Sequence, residues 1–296
     1  MTVLATPIDT TVLAGSEAEA RLAAVRADLL ADRLVPYLGP RLAGLAGDAP
    51  VPLEPEAVAA ALHARAPVPG KIRTNMWSAA QFIEQRRHRK TLTAYMAAIF
   101  APPVAPSPLH AFLAETPVSL IVDTWYDGAM RTALAAAGRT DFVEIQGVTR
   151  AGETRDIWTK SYDAAGVEVL PEAADAVRTV LYRPHGAISP AKNFLVADSD
   201  YVEVLTEIDI QTPIPQVVKQ RREARNFLFV GCRFHDQMLR TWARQVAKRS
   251  GGRHLVVTDL AAATKNEAKF FVELGIEVID LPLARAVEIL VGRPAS

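Results

Sequence analysis

The residues with the most evident chemistry lie in the stretch 180–189, VLYRPHGAIS, where an apolar, β-prone run ends in Pro184, His185 and Gly186. Such a strand delivers an imidazole to the rim of a sheet, next to a residue that has no side chain. An imidazole changes charge close to neutral pH and can take or give a proton there. Taken alone, the His-Gly pair carries little weight, because a single histidine after a strand is more often a satisfied turn residue than a catalyst. What stands beside it in the fold decides between the two.

The elements that must position this histidine follow a regular alternation. The run LVPYL (34–38) stops at Gly39-Pro40, and its loop, GPRLAGLAGDAP, fits no dinucleotide fingerprint. VSLIV (118–122) has the continuous apolar character of a strand buried on both faces, and it leads into DTWYD (123–127) and a helix over 128–137. Asp127 lies where its carboxylate can cap or complement the positive end of that helix. NFLFV (226–230) turns through GCRFHD (231–236) into a helix over 237–248. HLVVT (254–258), a helix over 264–274, a strand over 276–281 and a helix over 284–291 complete the chain. Strands separated by helices imply right-handed crossovers and a parallel sheet covered on both faces. The expected fold is therefore α/β, a Rossmann-like, doubly wound, mainly parallel sheet. Ligands of such sheets lie at the carboxyl ends of the strands, so the loops after Leu38, Val122, Arg183, Val230 and Thr258 are candidates for one site.

Around this framework the sequence predicts a leader and amphipathic helix in residues 1–32, a Rossmann-type domain over 33–292, and a mainly helical insertion at about 50–106. Helices are expected at 55–65, at 76–100 (one or two) and, after the Ser107-Pro108 start signal, at 109–115. The charged run 84–90, EQRRHRK, reads as a solvated helix face. Segments around 142–148 and 154–158 suggest strands or a hairpin near the rim. Asp198-Ser199-Asp200 caps a helix running through Leu205. Residues 212–215 break the chain before a helix holding Lys219, Arg221, Arg222 and Arg225.

The chain of 296 residues is half hydrophobic, enough for a sizeable core, and its 33 Lys and Arg balance 33 Asp and Glu. That balance argues against bulk nucleic-acid binding and against a charge-driven membrane role. The single cysteine, Cys232, rules out an internal disulfide or a four-thiolate zinc site, and fits a reducing cytoplasm. The N-terminus does not read as a signal peptide, and no apolar run is long enough to span a bilayer.

In order and spacing, YLGPRL, VDTWYD, YRPHGAIS and FVGCRFHD resemble the loops of the sirtuin-like family, especially its divergent bacterial branch without a zinc ribbon. Asp200-Tyr201 and Asp236 also resemble that branch. The resemblance implies binding of NAD, with either lysine deacylation or outright NAD hydrolysis, and no zinc. Carried over by position, it implies His185 as general base at the nicotinamide ribose, with Gly186 allowing close approach. It likewise implies Gly39 and Arg41 in the phosphate loop, Thr124, Trp125 and Asp127 in the second motif, Gly231 and Arg233 in the fourth, and Thr258 or Asp259 at the adenosine ribose.

The departures from the family pattern define the functional alternatives. Gly-Ala-Gly has become Gly39-Pro40-Arg41, so a pyrophosphate would meet a cation rather than a backbone cradle. An asparagine has become Trp125, whose indole has one donor and no acceptor. A serine has become Arg233, which can bind phosphate as a fork. One reading is an NAD hydrolase releasing nicotinamide and ADP-ribose, and an equal one is a catalytically degenerate domain that binds NAD, ADP-ribose or a protein partner. Deacylation ranks third, because the zinc module and the asparagine are missing. A homo-oligomer stays open. Trp77, Trp158 and Trp242 read as packing residues, Cys232 as a buried thiol and Asp236 as a helix cap, while His110, His235 and His254 show no metal-ligand spacing.

Overall fold

The computed structural model describes residues 10–150, 157–207 and 214–292. The first half of the chain contributes strands β1 (Val12–Ala14), β2 (Leu34–Leu38), β3 (Leu120–Asp123) and β4 (Phe142–Gly147). Then come β5 (Thr159–Tyr162), β6 (Glu168–Val169), β7 (Thr179–Arg183) and a short hairpin of β8 (Gly186–Ala187) and β9 (Asn193–Phe194). The last third holds β10 (Asn226–Val230), β11 (Leu255–Thr258) and β12 (Glu277–Asp280). Helices α1 (Gly15–Leu30), α2 (Pro55–Arg65), α3 (Met76–Phe100), α4 (Pro108–Glu115) and α5 (Ala129–Ala136) lie in the first half. The second half has α6 (Asp198–Glu207), α7 (Gln216–Arg222), α8 (Gln237–Ala247), α9 (Lys265–Glu273) and α10 (Leu283–Val291).

Ten strands form one sheet in the order β1-β12-β11-β10-β2-β3-β7-β4-β5-β6. All neighbours from β1 to β4 run parallel, and only β5 and β6 at the far edge are antiparallel. This is the α/β, Rossmann-like architecture expected from the alternation. The side-chain period of two divides each central strand between two cores. Val35, Tyr37, Phe227 and Phe229 point into one, beneath α2, α3 and α8. Leu34, Leu38, Leu228 and Val230 point into the other, beneath α1, α4, α5 and α10.

From β2 the chain first builds outward through β3 and later returns to lay β10 on the opposite side. The junction of β2 and β10 is thus the topological switch point, where splayed loops leave a crevice. The five loops singled out in the sequence leave five consecutive parallel strands, β11, β10, β2, β3 and β7.

Three local outcomes differ from the sequence expectation. The leader adds a strand, since β1 pairs with β12 at the sheet edge. Of the rim segment expected at 154–158, residues 154–156 lie outside the described residues and the strand begins at Thr159; residues 212 and 213 of the expected chain break also lie outside them. The charged run 84–90 is exposed except at Arg89 and Glu84, because α3 kinks at His88 (φ 67°, ψ 157°). A positive φ on a non-glycine residue is strained, and here the bend turns Arg89 inward. Arg89 Nη1 donates to both Asp200 oxygens, at 2.8 and 3.0 Å, and Nη2 donates to the Phe194 carbonyl.

Two buried histidines tie the frame together through neutral rings. His254 Nδ1 accepts from Phe227 N–H, and His110 Nδ1 accepts from Ser107 N–H, each at 3.1 Å. Burial pushes both pKa values down to about 4. As pH falls below about 6.5 the unfolded chain takes up protons that the folded chain refuses, so stability declines down to about pH 4. Urea midpoints measured across pH 7 to 4 are expected to fall, and a His110→Asn/His254→Asn variant, whose amides accept without titrating, is expected to show a flatter profile.

Candidate functional site

The loop after β2 can approach the loop after β10 only because Gly39 has no side chain. A Cβ on Gly39 would lie 2.3 Å from the Gly231 carbonyl oxygen. The strands' hydrogen bonding continues into the loops, with Gly39 N donating to Val230 O at 2.9 Å and Arg41 N to Gly231 O at 3.2 Å. On the other side of β2, Thr124 donates to the Leu38 carbonyl through both its N–H (3.0 Å) and its hydroxyl (2.8 Å). Gly39, Gly231 and Thr124 are thereby stitched to one strand end.

The loop 123–127 is held from the next strand by Arg183, the last residue of β7. Its side chain is fully buried. Nη2 donates to the carbonyls of Trp125, at 2.6 Å, and of Asp127. Asp123 Oδ2 lies 3.4 Å and Glu144 Oε1 3.9 Å from the guanidinium, and Arg131 binds the other Glu144 oxygen at 2.9 Å. Two guanidinium groups thus face the carboxyls of Asp123 and Glu144, and burial pushes the Asp123 pKa up against the opposing pull of Arg183. Asp127 also caps α5, accepting from Ala129 N–H at 2.9 Å, as the sequence suggested.

His185 follows directly, and its ring is buried under Trp242, 5.2 Å away between centroids. Nδ1 lies 2.9 Å from the Tyr201 hydroxyl, which also reaches the Leu195 carbonyl at 3.3 Å. The Leu195 carbonyl already accepts from the Tyr126 hydroxyl at 2.7 Å, and the Tyr201 hydroxyl is placed to serve Nδ1 either as acceptor or as donor. In the tautomer with Nδ1–H on Tyr201, Nε2 is the acceptor. Burial pushes the imidazole pKa down to about 3, so the ring is neutral at physiological pH. Gly186, at φ +77°, lies where a Cβ would meet the Asn193 carbonyl oxygen at 2.2 Å, which lets the β8–β9 hairpin close behind the histidine.

At the switch point a small cavity of about 20 Å3 is lined by Tyr37, Pro40, Glu54, Trp125, Arg233 and Phe234, among others. Space of that size holds about one water. Trp125 packs against Phe100 and Tyr126, and its Nε1 donates to the Pro52 carbonyl at 2.8 Å. Arg41 is paired with Glu54. Arg233 makes a two-pronged contact with Glu267, at 2.7 and 2.9 Å, so its fork is already filled by a carboxylate. Cys232 is a buried thiol whose pKa burial pushes up, as expected of a packing residue. Asp236 caps α8 through Met238 N–H. Thr258 and Asp259 stand farther along the sheet, where Asp259 accepts from Ala261 N–H, and Arg233 reaches that loop through the Ala262 carbonyl.

The sequence pointed to His185 and to the loops, and missed the groups that hold them. Arg183 was legible as a charge ending an otherwise apolar strand. Glu54 and Glu144 carry no local signal, and Glu267 shows only as the capping-box partner of Thr264, because the arginines they bind lie elsewhere in the sequence. Trp77 and Trp242, read as packing residues, do pack, on Tyr201 and around His185.

A doubly wound α/β sheet with its converging loops at the switch point defines a Rossmann-like protein. The family model described as SIR2-like domain matches residues 119–279, more than half of the chain, and the chain belongs to that family. The match supports an NAD-type ligand for the site. No curated protein matches the chain. No helix among the described residues is long and apolar enough to cross a membrane, and among them no group of three His, Cys, Asp or Glu is placed to hold a metal ion.

Removing the Arg183 cation leaves Asp123 and Glu144 buried beside an apolar side chain. Arg183→Met is expected to lower stability by about 3–5 kcal/mol, and Asp123→Asn in the same chain to recover part of that loss, both read from urea unfolding.

Proposed function

We propose that the protein binds NAD across the ends of β10, β2, β3 and β7 and hydrolyses it to nicotinamide and ADP-ribose. The observation that carries this reading is the neutral imidazole of His185, held through Nδ1 by Tyr201, and the reading takes the tautomer in which Nε2 is the proton acceptor. In the reaction the bond between ribose C1′ and the nicotinamide nitrogen breaks, its electron pair leaves with neutral nicotinamide, and water oxygen bonds to C1′. His185 Nε2 takes the proton that this water sheds. Tyr201 holds the ring through Nδ1 and stabilises it as it becomes charged. Gly39 and Gly231 let the loops after β2 and β10 close on one another at the switch point, and Arg41 supplies a cation there for the pyrophosphate. Gly186 lets the hairpin close behind the reacting ribose. Asp127, Thr258 and Asp259 offer oxygens to ribose hydroxyls, and Arg233 supports its loop through Glu267. A dinucleotide is far larger than the present cavity, so Trp125 and the residues around Pro52 must move to admit it.

One observation favours a second reading, a domain that binds NAD or ADP-ribose without turnover. Trp125 is buried and hydrogen-bonded where the family resemblance implies an asparagine, and an indole cannot accept a hydrogen bond from water or a ribose hydroxyl.

Nicotinamide release from NAD by the purified protein separates the two. The hydrolase reading expects release that drops by about a hundredfold or more in His185→Ala, consistent with loss of a general base. It also expects a kcat/KM profile with no inflection near pH 6.5, since the ring does not protonate there. Saturable NAD binding without release would establish the second reading, and no binding at all would overturn both.

A further inference from the structure

The segment 52–56 lies across the site and is tied to all three loops that meet at the switch point. Pro52 O accepts from Trp125 Nε1, in the loop after β3, at 2.8 Å. The Glu54 carboxylate is bound by Arg41 Nε, in the loop after β2. Glu56 Oε1 lies 2.8 Å from His235 Nε2, in the loop after β10. Glu54 and Pro55 themselves line the cavity. Three contacts of different kinds thus hold one short strap over one opening.

The two guanidinium groups at the mouth differ sharply in how they are paired. Glu267 is almost wholly buried, and its oxygens accept from Arg233, from Phe234 N–H and from Thr264 N–H and hydroxyl, while it completes the capping box of α9. That carboxylate is part of the frame, and a ligand cannot displace it without breaking the helix start. Glu54 has Arg41 as its side-chain partner and is 29% exposed, with Arg41 at 40%. An ion pair this accessible to water is weak and exchanges readily.

We propose that Glu54 is an internal stand-in for a ligand phosphate: its carboxylate occupies Arg41 and keeps the strap closed until the diphosphate of a dinucleotide takes its place. The inference rests on the NAD reading above and names the residue that sets affinity within it. A diphosphate offers Arg41 more charge and more acceptor oxygens than one carboxylate does. Its entry releases Glu54, and with it the Pro52 carbonyl from Trp125, which opens the space beneath. Binding to the wild-type protein is therefore weakened by the fraction of molecules in which the strap is closed.

Calorimetric titration of the full chain with NAD, and separately with ADP-ribose, tests this in four proteins: wild type, Glu54→Gln, Arg41→Gln and the double variant. Glu54→Gln is expected to bind both ligands about tenfold more tightly. Arg41→Gln is expected to bind more weakly than wild type, and adding Glu54→Gln to it is expected to restore nothing, because Glu54 acts through Arg41. Equal or weaker binding by Glu54→Gln, or the same gain in the Arg41→Gln background, would overturn the stand-in role while leaving the NAD reading intact. Absence of binding in all four proteins would overturn both together.

Discussion

A fully buried guanidinium, that of Arg183, is the constraint on which the site depends. Placing a cation at the end of a central strand is costly unless carbonyls and carboxylates meet it. This chain meets that demand with the carbonyls of Trp125 and Asp127 and with the carboxyls of Asp123 and Glu144. Arg183 stands two residues before His185, so the group that shapes the loop after β3 is covalently continuous with the group that carries the imidazole. The positions of Trp125 and Asp127 relative to His185 follow from that one arrangement. Nη2 alone serves both carbonyls and faces Asp123, while Nη1 faces Glu144, a separation of two nitrogens that a single ammonium lacks.

The helical segment between β2 and β3 is coupled to the same place by a second buried ion pair. Asp200 accepts from the N–H groups of Val196 and Ala197, from Thr149 and from Arg89. Its neighbour Tyr201 holds the His185 ring through Nδ1. The strained backbone at His88 sends Arg89 into this cluster, so the local cost at the kink is offset by a charge-assisted contact that fixes the start of α6. A segment that reads as a surface insertion therefore helps to orient the catalytic candidate, through α6 and the β8–β9 hairpin.

Much of the fold was legible in the sequence because it is written in local pattern. LVPYL and NFLFV are continuous apolar runs that end at glycine, and both strands begin and end where the pattern says. The capping signals of Ser107 and Thr264 likewise start α4 and α9. Two-residue and three-residue strands such as β1, β6, β8 and β9 have no room for a period and exist because a neighbour offers hydrogen bonds. The site divides in the same way. His185-Gly186 and the glycine turns were visible, whereas the partners of Arg41, Arg183 and Arg233 were not. Glu54, Asp123, Glu144 and Glu267 reach these cations through the fold, and no spacing in the chain encodes a contact made across strands.

Burial of His185 sets opposing demands on any chemistry there. The environment that excludes water lowers the pKa to about 3, which guarantees a neutral acceptor but makes it a weak base. A water attacking a ribose cation needs little base strength, because bond breaking to nicotinamide supplies the electrophile first. It does need access. Trp125, which lines the cavity at the switch point, is held there by Phe100 and by the Pro52 carbonyl. A closed indole that shields the ribose from water would favour ligand retention, and one that swings aside by a single water's width would favour hydrolysis. Under the proposed hydrolysis, a tryptophan in place of the asparagine that the family resemblance implies would leave steric gating of one water, rather than hydrogen bonding at the ribose, as the control.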